Sequence, residues 1–179
     1  MKNSLTEHPT ATIYQYKHVK RIVVRNELVI SYIMSILVLI GFQYLYYGRF
    51  GLFAVFISFA VIQLLHIFIT VLTFIQVEEA VDRKWKWSIA PPWIGFKPAN
   101  DISFRVYRRV HNQVFWLGII LISIMYPWLP SSIMISLLVW HVWLLAPKLL
   151  LNAMLRKIYK RTRSGILRIQ NSEVNFFQR

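Results

Sequence analysis

Apolar residues fall in four long blocks along this chain, and most of the charge falls between them. The blocks cover residues 28–47, 51–77, 114–129 and 133–151. Only Gly48-Arg49-Phe50 separates the first two, and the turn "LPSS" separates the last two. At about 1.5 Å per residue, blocks of this length reach across, or nearly across, a hydrocarbon core of about 30 Å. The third is the shortest and extends backwards through Asn112. The pattern predicts an all-α integral membrane protein with four transmembrane helices in two hairpins and a small β-rich cytoplasmic segment. The expected units are a basic N-terminal tail (1–27), a first hairpin (28–77), an interfacial segment (78–113), a second hairpin (114–151) and a basic C-terminal tail (152–179).

The interfacial segment changes rhythm. From Trp85 to Ile89 large apolar and polar residues alternate, Pro91-Pro92 breaks the run, and Trp93-Ile94-Gly95-Phe96 starts another. This predicts a pair of short strands around a proline turn. Beyond Asp101, "ISFRVYRRVHNQVFW" reads as a basic amphipathic helix leading into the third span. Tryptophans beside lysines suit a membrane interface, where the ring is half buried and the N–H stays wet. Trp85, Trp87, Trp93, Phe96, Arg105, Arg108 and Arg109 are therefore the candidate interfacial or partner-binding residues. The tail stretch "GILRIQNSEVNFF" predicts a second small hairpin about a polar turn at residues 170–173.

Composition agrees with the pattern. Hydrophobic residues make up 56% of the 179, against about 45–50% in soluble domains, and the mean hydropathy is +0.47. The net charge is +14. Lysine and arginine crowd the two tails and the central segment, and Arg49 alone sits in a turn on the opposite side. The positive-inside rule then places both termini and the centre in the cytoplasm of a multi-pass protein of the bacterial plasma membrane. Basic flanks also favour anionic lipid. No nucleic-acid-binding motif accompanies the charge, so membrane lipid is the expected partner. With no cysteine, disulfides and thiolate metal sites are excluded. The first apolar block is too long for a signal-peptide core, so no cleavable leader is expected.

Candidate chemistry lies inside the blocks. Gln63 and His66 are three residues apart and share a helix face, and His141 lies in the fourth block. An unpaired polar group facing lipid costs several kcal/mol, so these three should meet in the helical interior. The seven acidic residues, Glu7, Glu27, Glu78, Glu79, Asp82, Asp101 and Glu173, all lie outside the blocks. No serine triad can be assembled without an intramembrane acid. Two histidines alone do not complete a four-helix haem arrangement, so no cofactor is expected.

Two membrane hairpins around a strand-rich cytoplasmic segment, with "IQLLH" in the second span, "WIGFKPANDISFRVYRRV" in the central segment and "LLAPKLL" in the fourth span, resemble the bacterial zincin peptidase family of site-2-protease-like membrane proteins. The resemblance covers residues 28–176. It implies a zinc motif H-E-x-x-H in the second span and an acidic metal ligand in the fourth. Here the motif reads Ile62-Gln63-Leu64-Leu65-His66, and the fourth span reads Ala146-Pro147-Lys148. Zinc hydrolysis needs about three protein ligands and a general base, and glutamine cannot take a proton at neutral pH. The resemblance thus implies a degenerate member without metal or catalytic residues. The expected function is a non-enzymatic, pseudoprotease-like scaffold or regulator that binds another membrane protein or an extended peptide. The alternatives are a small oligomeric channel or transporter subunit, or a histidine-dependent enzyme acting on lipid.

Overall fold

The computed structural model describes residues 17–75, 84–162, 165–170 and 173–178. The expectations for Glu7, Glu78, Glu79 and Asp82, and for most of the N-terminal tail, lie outside the described residues. In chain order the elements are β1 (Lys17–Val23), α1 (Asn26–Phe74), β2 (Trp85–Ser88), β3 (Gly95–Pro98), β4 (Ile102–Ser103), α2 (Phe104–Ile124), α3 (Ser131–Thr162), β5 (Ile166–Ile169) and β6 (Glu173–Gln178).

Where hydropathy predicts four spans, the described residues hold three helices long and apolar enough to cross a membrane, Asn26–Phe74, Phe104–Trp128 and Ser131–Arg161. The first two apolar blocks fall within the single element α1. Its helical geometry breaks at Gly48 (φ +59°, ψ −141°), a conformation that glycine reaches without a Cβ clash. Close approach follows: a Cβ on Gly51 would stand 2.1 Å from the Gln43 carbonyl oxygen. Both arms of α1 pack on α3. Gln43 meets Ser132 and Ser136 while Tyr32 meets Trp143, and Ser58 meets Ile133 while His66 meets His141.

Burial in the helices is inverted relative to a water-soluble bundle. Leu45, Phe53, Phe56, Leu64, Trp116 and Leu150 are exposed, while Gln43, Ser58, Gln63, His66, Ser136, His141 and Lys148 are buried. So large an apolar exterior is not tolerated against water; against hydrocarbon it is the favoured arrangement, with polar groups directed at one another. Pro147 lies inside α3, where neighbouring helices can compensate the missing N–H.

The interfacial segment and the tails build two sheets. Strands pair antiparallel in the order β1-β6-β5-β4, and β2 pairs with β3. β5 and β6 form the hairpin expected in the tail, closed by Gln170 N–H donating to Glu173 O at 2.8 Å; residues 171–172 of that turn lie outside the described set. The two-strand reading of 85–98 also matches: Trp85 faces Pro98 and Trp87 faces Phe96 across the ladder. α2 begins at Phe104, as the amphipathic stretch after Asp101 predicts, and is continuous with the third span. α3 runs on to Thr162, so the start of the expected C-terminal tail, residues 152–162, is helix.

A core of Trp93, Ile102, Phe104, Tyr107, Leu151, Leu155, Leu167, Val174 and Phe176 welds the four-stranded sheet to the start of α2 and the end of α3. Each such large apolar side chain, fully buried, stabilises by about 1.5–3 kcal/mol. Trp93 is only 4% exposed. This corrects its expected interfacial role: the proline turn folds the hairpin tip inward, and Ile94 packs on the helical cluster that contains Ile62 and Leu144. Trp87, 44% exposed, keeps an outward position.

Candidate functional site: a buried histidine–lysine cluster

Helical spacing puts Gln63, His66 and Thr70 on the inner face of α1, His111 on α2, and His141 and Lys148 one turn-pair apart on α3. All six are buried. His66 Nε2 and His141 Nδ1 are 2.9 Å apart, and His141 Nε2 is 3.1 Å from the Phe115 carbonyl oxygen. A carbonyl only accepts, so His141 Nε2 carries the proton. In a neutral ring its Nδ1 then accepts, and His66 Nε2 must donate. The pair is thereby complete with two neutral rings of fixed tautomer. By the same logic His111 Nδ1, 2.8 Å from the Tyr107 carbonyl oxygen, is a donor, which leaves His111 Nε2 as an acceptor.

This packing requires Gly118. A Cβ there would fall 2.1 Å from His141 Cε1, so α2 can approach the imidazole only without a side chain. Thr70 Oγ1 donates back to the His66 carbonyl at 2.7 Å, which secures the hydroxyl locally without a partner from another helix.

His66, Thr70, His111 and Lys148 share a small cavity with Trp85, Phe96, Val110, Val114 and Leu145. Its volume is about 10 Å³, the size of a single water. Trp85 and Phe96 come from the two strands of the β2–β3 hairpin, so that hairpin roofs the cluster. Trp85 also contacts the rings of Phe74 and His111. Gly95 sits closest: a Cβ on it would lie 3.0 Å from Gln63 Oε1 and 3.6 Å from Lys148 Nζ. On the other side of the hairpin Lys86 and Lys97 face each other. Burial, and then Lys86, hold the Lys97 ammonium below its ordinary pKa.

The three residues singled out from the sequence as an intramembrane site, His66, Gln63 and His141, are thus brought together with two that were not. Lys148 entered the sequence reading as the residue standing where the resemblance calls for an acid. The helix continues well past it, and Lys148 is 5% exposed. His111 was read as part of the interfacial segment, and it is buried because α2 starts before it. Of the expected interfacial residues, Arg105 and Arg109 are exposed, Arg108 is half-buried over the Tyr159 ring, and Phe96 is turned to the cavity. A lysine on the same face as a histidine seven residues earlier, about two helix turns before the first charge of the tail at Arg156, was the available signal for the larger cluster.

Chemically the cluster offers imidazole acceptors and one ammonium donor, with no carboxylate in the cavity wall. Among the described residues, no group of three or more His, Cys, Asp or Glu is placed to hold a metal ion.

The helices and their inverted burial define a membrane protein with a polar cluster at the sheet-proximal end of its bundle. Comparison of the chain with family models, curated proteins and solved structures finds no match.

Proposed function

We propose that this chain is a non-enzymatic membrane protein, a scaffold or regulator, that binds an extended segment of a partner by adding it as a strand to β1. The carrying observation is that β1, seven residues long with a register shift between His18 and Lys20, is the outermost strand of its sheet among the described residues, paired on one side to β6. An edge strand of that length presents a row of backbone donors and acceptors to an incoming chain. Its sequence, KHVKRIV, selects for acidic side chains in the partner.

The same proposal carries four membrane crossings in two hairpins, with both termini and the sheets in the bacterial cytoplasm. It is supported by the break at Gly48, by Gly51 against Gln43, and by the opposite order in which the two arms of α1 meet α3. A pseudoprotease origin is supported by the meeting of the two segments that carry the resemblance. Gln63 and His66 lie beside Lys148, so an ammonium stands where that family's pattern calls for an acid.

A photoreactive side chain at Val19, exposed on β1, is the test in native membranes. It should form a discrete protein adduct that Lys20→Glu abolishes and Arg105→Glu spares. Absence of an adduct at Val19 alongside a strong one at Trp87 would move the interface to the other sheet and sink the strand-addition reading. Reporter fusions at Gly48 and after Arg179 test the crossings; they should report opposite sides of the membrane.

A further inference from the structure

α2 and α3 run antiparallel, and near the sheet they present mirrored pairs of residues. α2 carries Arg108 and Asn112 four apart, and α3 carries Asn152 and Arg156 four apart. Together with Leu149 and Ala153 they line a groove of about 450 Å³. Its walls hold two guanidinium groups and two amides, and no carboxylate.

Asn152 supplies a second observation. It is 7% exposed, and neither its amide nitrogen nor its amide oxygen has a hydrogen-bond partner among the described residues. A buried amide with both atoms unpaired costs about 1–3 kcal/mol per group, a cost that hydrogen bonds to a ligand in the groove would offset. Arg108 is held in place over the Tyr159 ring at 5.7 Å, which lowers the ordering entropy of clamping an anion. Further from the sheet the polar lining gives way to exposed apolar surface, with Trp116 one turn beyond Asn112 on α2 and Val142 two turns before Leu149 on α3.

We propose that this groove binds the phosphate headgroup of an anionic phospholipid, with Arg108 and Arg156 on the phosphate oxygens, Asn112 and Asn152 on the polar headgroup atoms, and the acyl chains along Trp116. Two guanidinium forks match phosphate geometry, and the polar-to-apolar gradient along the groove matches a lipid rather than a free anion. The assignment rests on the membrane reading and is independent of strand addition at β1.

The test is native mass spectrometry of the full chain in neutral detergent with equimolar phosphatidylglycerol and phosphatidylcholine. The unaltered protein should retain one phosphatidylglycerol in preference to phosphatidylcholine. Arg108→Gln with Arg156→Gln should lower that preference by about thirtyfold. Arg105→Gln with Arg109→Gln removes the same charge from the exposed face of α2 and should leave it within about twofold of the unaltered protein. Equal losses in the two double variants would mean a diffuse basic field and overturn the site, as would no preference in the unaltered protein. Asn152→Leu keeps an apolar-compatible helix and should fold, with the preference weakened several-fold; an unchanged preference counts against the groove. Inorganic phosphate that raises the thermal midpoint as far as phosphatidylglycerol does would overturn the lipid assignment in favour of a free anion.

Discussion

The bundle has two buried polar regions, and they are built differently. At the end away from the sheets, Gln43 Nε2 donates to the Ser132 carbonyl at 3.0 Å and to Ser136 Oγ at 2.9 Å, and Ser132 Oγ donates back to Gln43 Oε1 at 2.9 Å. Every polar atom of that glutamine is used. Near the sheets, Gln63 is also buried, yet its Nε2 has no partner among the described residues, and the same holds for Tyr107 Oη and both amide atoms of Asn152. Around them lie His66, His111, His141 and Lys148 with a water-sized cavity. A polar group in hydrocarbon is stabilising only when paired. The far region is a fastener between helices. The near region, with these atoms unpaired, forgoes that stabilisation.

Substitutions can break this contrast, and the largest effect belongs to Gly118→Ala. The added methyl meets the His141 ring, so the ring must leave both His66 and the Phe115 carbonyl. Overpacking and two lost hydrogen bonds together should lower stability by about 3 kcal/mol, seen as a drop in the thermal midpoint in detergent. A midpoint equal to that of the unaltered protein would mean that α2 does not press on His141.

Gln43→Leu comes next. It strands the hydroxyls of Ser132 and Ser136, which can turn back to their own helix carbonyls, so the loss should be about 1–2 kcal/mol. Gln63→Leu sharpens the comparison, because the same change in the near region removes an amide whose Nε2 has no partner among the described residues. It should be neutral or stabilising in the same assay. If it destabilises as much as Gln43→Leu, the two regions are alike and the contrast fails.

The histidine pair separates structure from function. His66→Leu with His141→Leu removes both partners together and should cost less than about 1 kcal/mol, less than either single change. Retained fold with a lost Val19 adduct would tie the cluster to partner binding.

The smallest effect is at the sheet. Asn175 and then Arg21 hold the Glu173 carboxyl below its ordinary pKa, and Arg21 Nε donates to it at 2.6 Å, joining β1 to β6. A lowered carboxyl pKa contributes stability that is complete above the ordinary value and is lost as pH falls through the lowered one. The thermal midpoint should therefore fall slightly more between pH 7 and pH 3 in the unaltered chain than in Glu173→Gln. Identical acid profiles would mean that the pair contributes nothing to the sheet.

Much of the architecture was legible in the chain. Apolar block length announces helices for a membrane, because backbone polar groups in hydrocarbon must be satisfied within the segment. Alternation around Pro91-Pro92 announces two short strands, and the positions of Gln63, His66 and His141 in apolar helices announce an inward-facing polar set. These features are local, or follow from the solvent.

Other features depend on which surfaces meet. Trp93 has the composition of an interfacial residue and is core, because the hairpin tip folds between the bundle and the sheet. Lys148 has the look of a snorkelling end residue and is buried, because α3 does not stop where its apolar run stops. β1 is an isolated basic stretch in the sequence and becomes an edge strand only when β6, 150 residues later, pairs with it. Hydrophobic periodicity specifies a face and a solvent, and it carries no information about the partner of that face. The pairing of His66 with His141 and the groove between Arg108 and Arg156 were decided by the docking of α1 and α2 onto α3, where Gly118 lets the helices close on the His141 ring and the Asn152 amide is left without a partner among the described residues.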